Sequence, residues 1–205
     1  MNLAFIGLAV LGVTGSALAE PTYHRVTGVA ADDVLNIRAE PRATSADIGD
    51  LAQDAKRIEV FGFDASGNWA HIARNGRDGW IATRFLARDK VATLADSTVP
   101  IGLVCGGTEP FWALALHGAE ARYSHPADGD TDFALDTVDV AEGHRGSPAL
   151  ITASADTNEV IEATITGATC TDGMSDRDYG WLVTMQLRKP GQQRFLKGCC
   201  HLPPD

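Results

Sequence analysis

Two stretches of this chain crowd together side chains that can do chemistry. The first is the polar turn "CTDGMSDRDYGW" (Cys170–Trp181), where Asp172, Ser175, Asp176, Arg177, Asp178 and Tyr179 stand within eight residues. Carboxylates, a guanidinium and hydroxyls at that density suit a polar ligand or a cationic partner surface. The second is Glu109, an acid in the run Glu109-Pro110-Phe111-Trp112, which would join the turn if both lie at one end of a domain. Acid–base catalysis by these carboxylates requires one of them to stay protonated near neutral pH, and spacing alone singles out no such pair. The plainer reading is turn chemistry: Asp172-Gly173 favours a tight turn, Asp176 caps it, and Glu109 pairs with Arg177.

The chain holds four cysteines, Cys105, Cys170, Cys199 and Cys200. Neighbouring strand residues point to opposite faces, so a Cys199–Cys200 bond would need a strained peptide. Two pairings remain. Cys105–Cys199 with Cys170–Cys200 is preferred, and the swapped pairing stands close beside it. The rival use of these sulfurs is a metal or redox centre built with His201, but the usual C-x-x-C spacing is absent. No metal and no other cofactor are expected. "DGDTDFALDTVD" (Asp128–Asp139) places aspartates at calcium-loop spacing, yet Phe133 stands where such a loop needs glycine and Asp139 where it needs glutamate. A solvated acidic loop is the expectation.

Those groups sit in a chain of 205 residues with a formal net charge of −10. It opens on "MNLAFIGLAVLGVTGSALAE", an apolar stretch too short to span a bilayer, followed by Ala17-Leu18-Ala19, the small-x-small pattern of a leader cleavage site. A signal peptide over 1–19 is expected, hence a periplasmic or secreted protein in which thiols oxidise to disulfides. No later run is long and apolar enough for a membrane-spanning helix. Nine basic and eleven acidic side chains over 20–89 leave −2, and eight against sixteen over 90–205 leave −8. An acidic surface repels phosphate backbones, which argues against nucleic acid as a partner.

The positioning elements read as strands throughout. Short alternating apolar runs recur between Gly, Asp and Asn turn signals, an all-β pattern. Val34–Pro41, Asp47–Leu51, Arg57–Asp64, Trp69–Arg74 and Trp80–Leu86 form a first block, 20–87, with Leu35, Ile37 and Trp80 as core. Residues 88–102 lack aromatics and read as a linker. Strands at Phe111–Gly118, Ala119–Pro126, Ala149–Asp156, Glu159–Cys170, Tyr179–Arg188 and Arg194–Leu202 make a second block, 103–205. Sequential hairpins of this kind predict an antiparallel meander curled into a barrel or sandwich, stapled by two disulfides.

Within the first block, "LNIRAEP", "GNWAHIA" and "GWIATRFL" resemble the bacterial SH3-like domain. Leu35, Asn36, Ile37 and Arg38 match its first element, and Gly79, Trp80 and Leu86 its last. Asn68-Trp69 stands where that family has a first Gly-Trp. The resemblance implies a small β-barrel that docks on cell-wall peptide or an envelope protein, with Trp69, His71, Arg74 and Arg84 as candidates for its ligand face. In the second block "GTEPFW", "CTDGMSDRDYG" and "LKGCC" resemble a family of small bacterial envelope proteins of uncharacterised function, with Gly180 where that family has proline. That likeness implies exported β structure and little chemistry.

The sequence therefore leads to a non-catalytic binding protein of the cell envelope. Its ligand-binding candidates are Glu109, Trp112, Asp172, Ser175, Asp176, Arg177, Tyr179, Trp69 and Arg84, and its partner peptidoglycan or an envelope protein. A cell-wall hydrolase targeted by its SH3-like part, or an inhibitor of a lytic enzyme, is the alternative.

Overall fold

The computed structural model describes residues 20–204, and the leader expected at 1–19 lies outside them. The described chain forms two β-domains. The N-terminal one is a seven-stranded sheet built from β1 (Thr22–Val26), β2 (Val34–Arg38), β3 (Asp47–Ala52), β4 (Ile58–Phe63), β5 (Trp69–Arg74), β6 (Arg77–Ala82) and β7 (Leu86–Arg88), in the order β3-β2-β6-β5-β4-β1-β7. A 3-10 turn, Thr83–Phe85, leads into β7. Period-two alternation sends Leu35, Ile37, Leu51, Ile58, Val60, Ile72 and Ile81 into one core. Trp80, expected in that core, points away from it instead, because the alternation of β6 gives the inward position to Ile81. It is half-buried and stacks on His71, with ring centroids 4.9 Å apart. Its neighbour Gly79 lies flat on Ile37: a Cβ there would come within 2.4 Å of the Ile37 methyl. That close approach explains a glycine before the tryptophan.

The second domain is a closed eight-stranded antiparallel barrel: β8 (Val104–Thr108), β9 (Phe111–Leu116), β10 (Glu120–His125), β11 (Gly129–Val140), β12 (Ala149–Ser154), β13 (Val160–Thr171), β14 (Asp178–Lys189) and β15 (Gln192–His201). Each strand pairs with the next and β15 returns to β8, so the meander closes without a crossover. The interior is solid. Trp181, Tyr123, Phe133 and a set of Leu, Ile and Val side chains fill it. Arg122, Asp132, Glu162, Arg188 and Lys197 lie on the outside, more exposed than any of the interior set. Apolar inside and charged outside is the reverse of a membrane barrel. Among the described residues no helix is long and apolar enough to cross a membrane.

Three further expectations are corrected. The acidic run 128–139 is mostly strand, since β11 pairs with both β10 and β12. Phe133 is its buried anchor, 1% exposed, while Asp130 and Asp132 face out; the apolar residues at 133, 135 and 138 suffice to seat a strand once neighbours exist on both sides. Residues 88–102 are not a bare tether: Leu94 and Val99 pack into the barrel core, and Thr93 bridges Pro100. The favoured cysteine pairing is also overturned, because the bonds are Cys105–Cys200 and Cys170–Cys199. Cys200 sits directly across from Cys105 in the β15–β8 ladder, and both belong to the interior cluster. Cys199, one residue earlier, must point the other way. There it meets Cys170, carried past a register shift between Gly167 and Cys170 in β13. Adjacent cysteines thus fasten the last strand from both faces.

Candidate functional site

The polar turn is organised by Asp172 rather than Asp176. Asp172 Oδ1 accepts hydrogen bonds from the backbone N–H of Met174 (2.9 Å) and Ser175 (2.8 Å), and Oδ2 accepts one from the Tyr179 hydroxyl (2.7 Å). The Ser175 hydroxyl donates to the same carboxylate. Partial burial works against ionisation of Asp172, but these donors outweigh it and hold the carboxyl at about 2. Asp172 and Ser175 are thus consumed in building the turn. The Thr108 hydroxyl donates to the Asp172 carbonyl at 3.3 Å, which brings the β8–β9 corner with Glu109 beside this turn. Glu109 itself is exposed at a cis Glu109–Pro110 peptide, and among the described residues no ion pair joins it to Arg177. Trp112 is turned into the barrel, 5% exposed, and stacks with Tyr123 at 6.4 Å.

Arg177 reaches away from Glu109. Its guanidinium lies 4.2 Å above the Tyr179 ring and helps to stabilise the carboxylate of Glu59, in the N-terminal domain. Glu59 is buried where the two domains meet. The Trp181 indole N–H donates to the Tyr23 hydroxyl (2.9 Å), which donates to Glu59 Oε1 (3.0 Å). Burial raises the Glu59 carboxyl to about 7, against the pull of Tyr23, Arg177 and the Leu202 backbone N–H. Burial, reinforced by Glu59, likewise raises the Tyr23 phenol. Gly180 makes this approach possible: a Cβ there would stand 2.6 Å from Pro21 Cγ and 3.0 Å from Glu59 Oε1.

Around this relay opens a cleft of about 610 Å³. Its walls are the β3–β4 turn with Lys56 and Arg57, Glu59 of β4, Arg74 at the end of β5, and Arg177 and His201 from the barrel. Four cationic side chains, Lys56, Arg57, Arg74 and Arg177, thus line a cleft in a protein of net charge −10, with Asp54 and Glu59 as the acids among them. Among the described residues, two of the wall's buried nitrogens, Arg177 Nε and His201 Nδ1, have no hydrogen-bond partner. Burial, with Arg177 beside it, lowers His201 to about 4, so its imidazole is neutral at pH 7. Buried polar groups normally find partners, so these two nitrogens, closed off behind the cleft wall, carry an unmet hydrogen-bonding demand that a shift of either side chain toward an acceptor would relieve.

Of the remaining sequence candidates, Trp69 is half-buried at the start of β5, its backbone N–H bonded to Asp64 Oδ1 at 2.8 Å. Arg84 is exposed and lies 4.6 Å over the Phe85 ring. Neither lines the cleft, and neither do Glu109 or Asp176. His71 stands on the other side of the β5–β6 hairpin, next to Asp78 (3.5 Å) and facing Asp178 of the barrel. The hairpin is pinned there: the Asp78 N–H donates to the Asp176 carbonyl (3.1 Å) and the Asp178 N–H to Asp78 Oδ1 (2.9 Å). Sequence reasoning passed over Glu59 and Tyr23, and weighed His201 only as a partner of the cysteines in a metal or redox centre. A glutamate in the middle of an alternating strand, between Ile58 and Val60, was the available signal.

The family model for the bacterial SH3 domain matches residues 33–87. The structure extends that unit by β1, which precedes the match and supplies Tyr23. Comparison with curated proteins and with solved structures finds no match. The SH3 domain and the two disulfides are compatible with an extracytoplasmic protein.

Proposed function

We propose that this protein is a non-catalytic binding protein of the bacterial envelope. In this reading the cleft between the SH3 domain and the barrel holds a carboxylate-bearing peptide of the cell wall. The SH3 domain supports a cell-wall or peptidoglycan role. One observation carries the cleft: among the described residues, Arg177 Nε and His201 Nδ1 are buried in its wall with no acceptor. A carboxylate offers acceptors to the Arg177 guanidinium once that side chain turns toward the cleft, and an arginine–carboxylate pair is among the stronger hydrogen-bonded contacts. Lys56 and Arg74 add positive charge at the rim and suit peptides with more than one free carboxylate.

The test is retention of the full exported chain on purified peptidoglycan, with titration of a stem peptide carrying a free or an amidated C-terminus. The wild type should bind the free acid, and Arg177→Ala should weaken binding by tenfold or more, since hydrogen bonds to charged groups contribute about 1.5–3 kcal/mol. Amidation should do the same. Equal retention of wild type and R177A, or indifference to amidation, rejects the reading.

A further inference from the structure

On the far side of the hairpin that walls the cleft, three side chains from two domains converge. His71 projects from β5, Asp78 from β6 and Asp178 from β14. One ligand atom of each lies within 4.8 Å of the other two. His71 Nε2 and Asp78 Oδ2 are 3.5 Å apart, about the edge of a tetrahedron whose metal–ligand bonds are roughly 2.1 Å. Among the described residues no lysine or arginine forms an ion pair with Asp78 or Asp178, so two carboxylates face each other across one imidazole.

Both sides of the constellation are held from behind. The His71 ring stacks on Trp80 at 4.9 Å and meets Phe61 edge-on at 5.5 Å. The second oxygen of Asp78 accepts the backbone N–H of Asp178 at 2.9 Å, so Oδ2 stays turned toward His71. Supports of this kind fix ligand rotamers in metal sites and matter to affinity almost as much as the ligands. All three residues are only partly buried, which leaves a path for an ion and a coordination position for water.

We propose that His71, Asp78 and Asp178 form a binding site for a divalent transition-metal ion, zinc above all, that ties the SH3 domain to the barrel. One imidazole and two carboxylates suit zinc better than calcium, which prefers six or more oxygens. The ion would neutralise the facing carboxylates and bridge the domains at their hydrogen-bonded seam. This site is separate from the cleft and shares no residue with its wall.

The experiment is calorimetric titration of zinc into the metal-stripped, tag-free full chain, with thermal unfolding in parallel and Co²⁺ absorption as a spectroscopic readout. One zinc should bind per chain. Saturation should raise Tm by about 5–10 °C, as a ligand at a hundredfold over Kd does for a chain of this size, and Co²⁺ should give a four-coordinate visible spectrum. Asp178→Asn should weaken zinc tenfold or more and abolish the Tm rise, while its metal-free Tm equals or exceeds that of the wild type, because it removes a like-charge contact without losing volume. His71→Asn should give the same loss of zinc. Zinc binding unchanged in D178N, or no zinc-dependent Tm shift in the wild type, overturns the proposal. So does calcium binding as tightly as zinc.

Discussion

Replacing Glu59 by glutamine should change how stability depends on pH, and the structure sets sign and size. The Glu59 carboxyl titrates at about 7 in the folded protein against 4.5 in its absence. The folded chain therefore keeps this proton where the unfolded chain has released it. For an acid whose pKa is raised, the contribution to stability is full below about pH 4.5 and is lost as pH rises through 7. The shift corresponds to about 3 kcal/mol in all, of which about 2–3 kcal/mol falls between pH 5 and 8. His201 acts in the opposite sense: burial lowers it to about 4, so its contribution is present above about 6.5 and is lost as pH falls through 4. The wild-type profile alone mixes the two, but His201 cancels in the difference between wild type and Glu59→Gln. The substituted amide keeps the shape and still accepts from Tyr23, yet cannot ionise. Urea unfolding at half-unit steps from pH 5 to 8, followed by tryptophan fluorescence, measures that difference. Relative to the wild type, E59Q should gain about 2–3 kcal/mol across the range. A difference that stays constant within about 0.5 kcal/mol would mean that Glu59 is ionised throughout, and the argument from its burial would fail.

Two further outcomes test the seam and the staple. Gly180→Val puts a branched side chain where Pro21 and Glu59 Oε1 already lie within 3.0 Å of a Cβ; calorimetry should then resolve two unfolding transitions in place of one, with the barrel's own transition retained. The double change Cys170→Ser, Cys199→Ser opens a link across 29 residues of sequence and should cost about 3–4 kcal/mol in urea unfolding by loop-closure entropy, while the inner Cys105–Cys200 bond keeps β15 on β8 and the near-ultraviolet circular dichroism remains native.

What was legible in the sequence was local. Trp69–Arg74 alternates apolar and polar residues between two turn signals, and it is a strand with those ends. Gly79-Trp80 was legible as part of the SH3-like pattern, but not its reason, the close approach of Ile37 to Gly79. The vicinal cysteines ruled out their own bond by alternation alone, yet the choice between the other pairings depends on which residue faces inward. That is set by the β15–β8 register and a bulge in β13, neither written in spacing. β11 was hidden because its outward face carries aspartates, so its polarity resembled a loop. The cleft was least legible of all. Its charged and polar side chains, Glu59, Arg74, Arg177 and His201, come from four separate places in the chain and meet only when two domains dock. Asp172 was legible as turn chemistry, the plainer of its two readings, and its carboxylate accepts from the Met174 and Ser175 N–H groups as that reading requires.

The two cores and the seam between them differ in kind, and that difference is the argument for where ligands act. Each core is apolar and closed, so nothing enters it without displacing packed side chains. The seam is held by directional contacts: Trp181 to Tyr23 to Glu59, and Asp78 to Asp176 and Asp178. Interfaces of this polar type between domains permit relative motion unless something locks them. A carboxylate drawn to Arg177 would compete with Glu59 for the same guanidinium, which would lose part of what keeps Glu59 charged and raise that carboxyl further. Ligand binding and Glu59 protonation should therefore favour one another, and by linkage the affinity for a free-acid peptide should rise as pH falls from 8 toward 6 in the wild type but not in E59Q. The same titration that tests the cleft thus tests whether the buried acid and the orphaned nitrogens belong to one site.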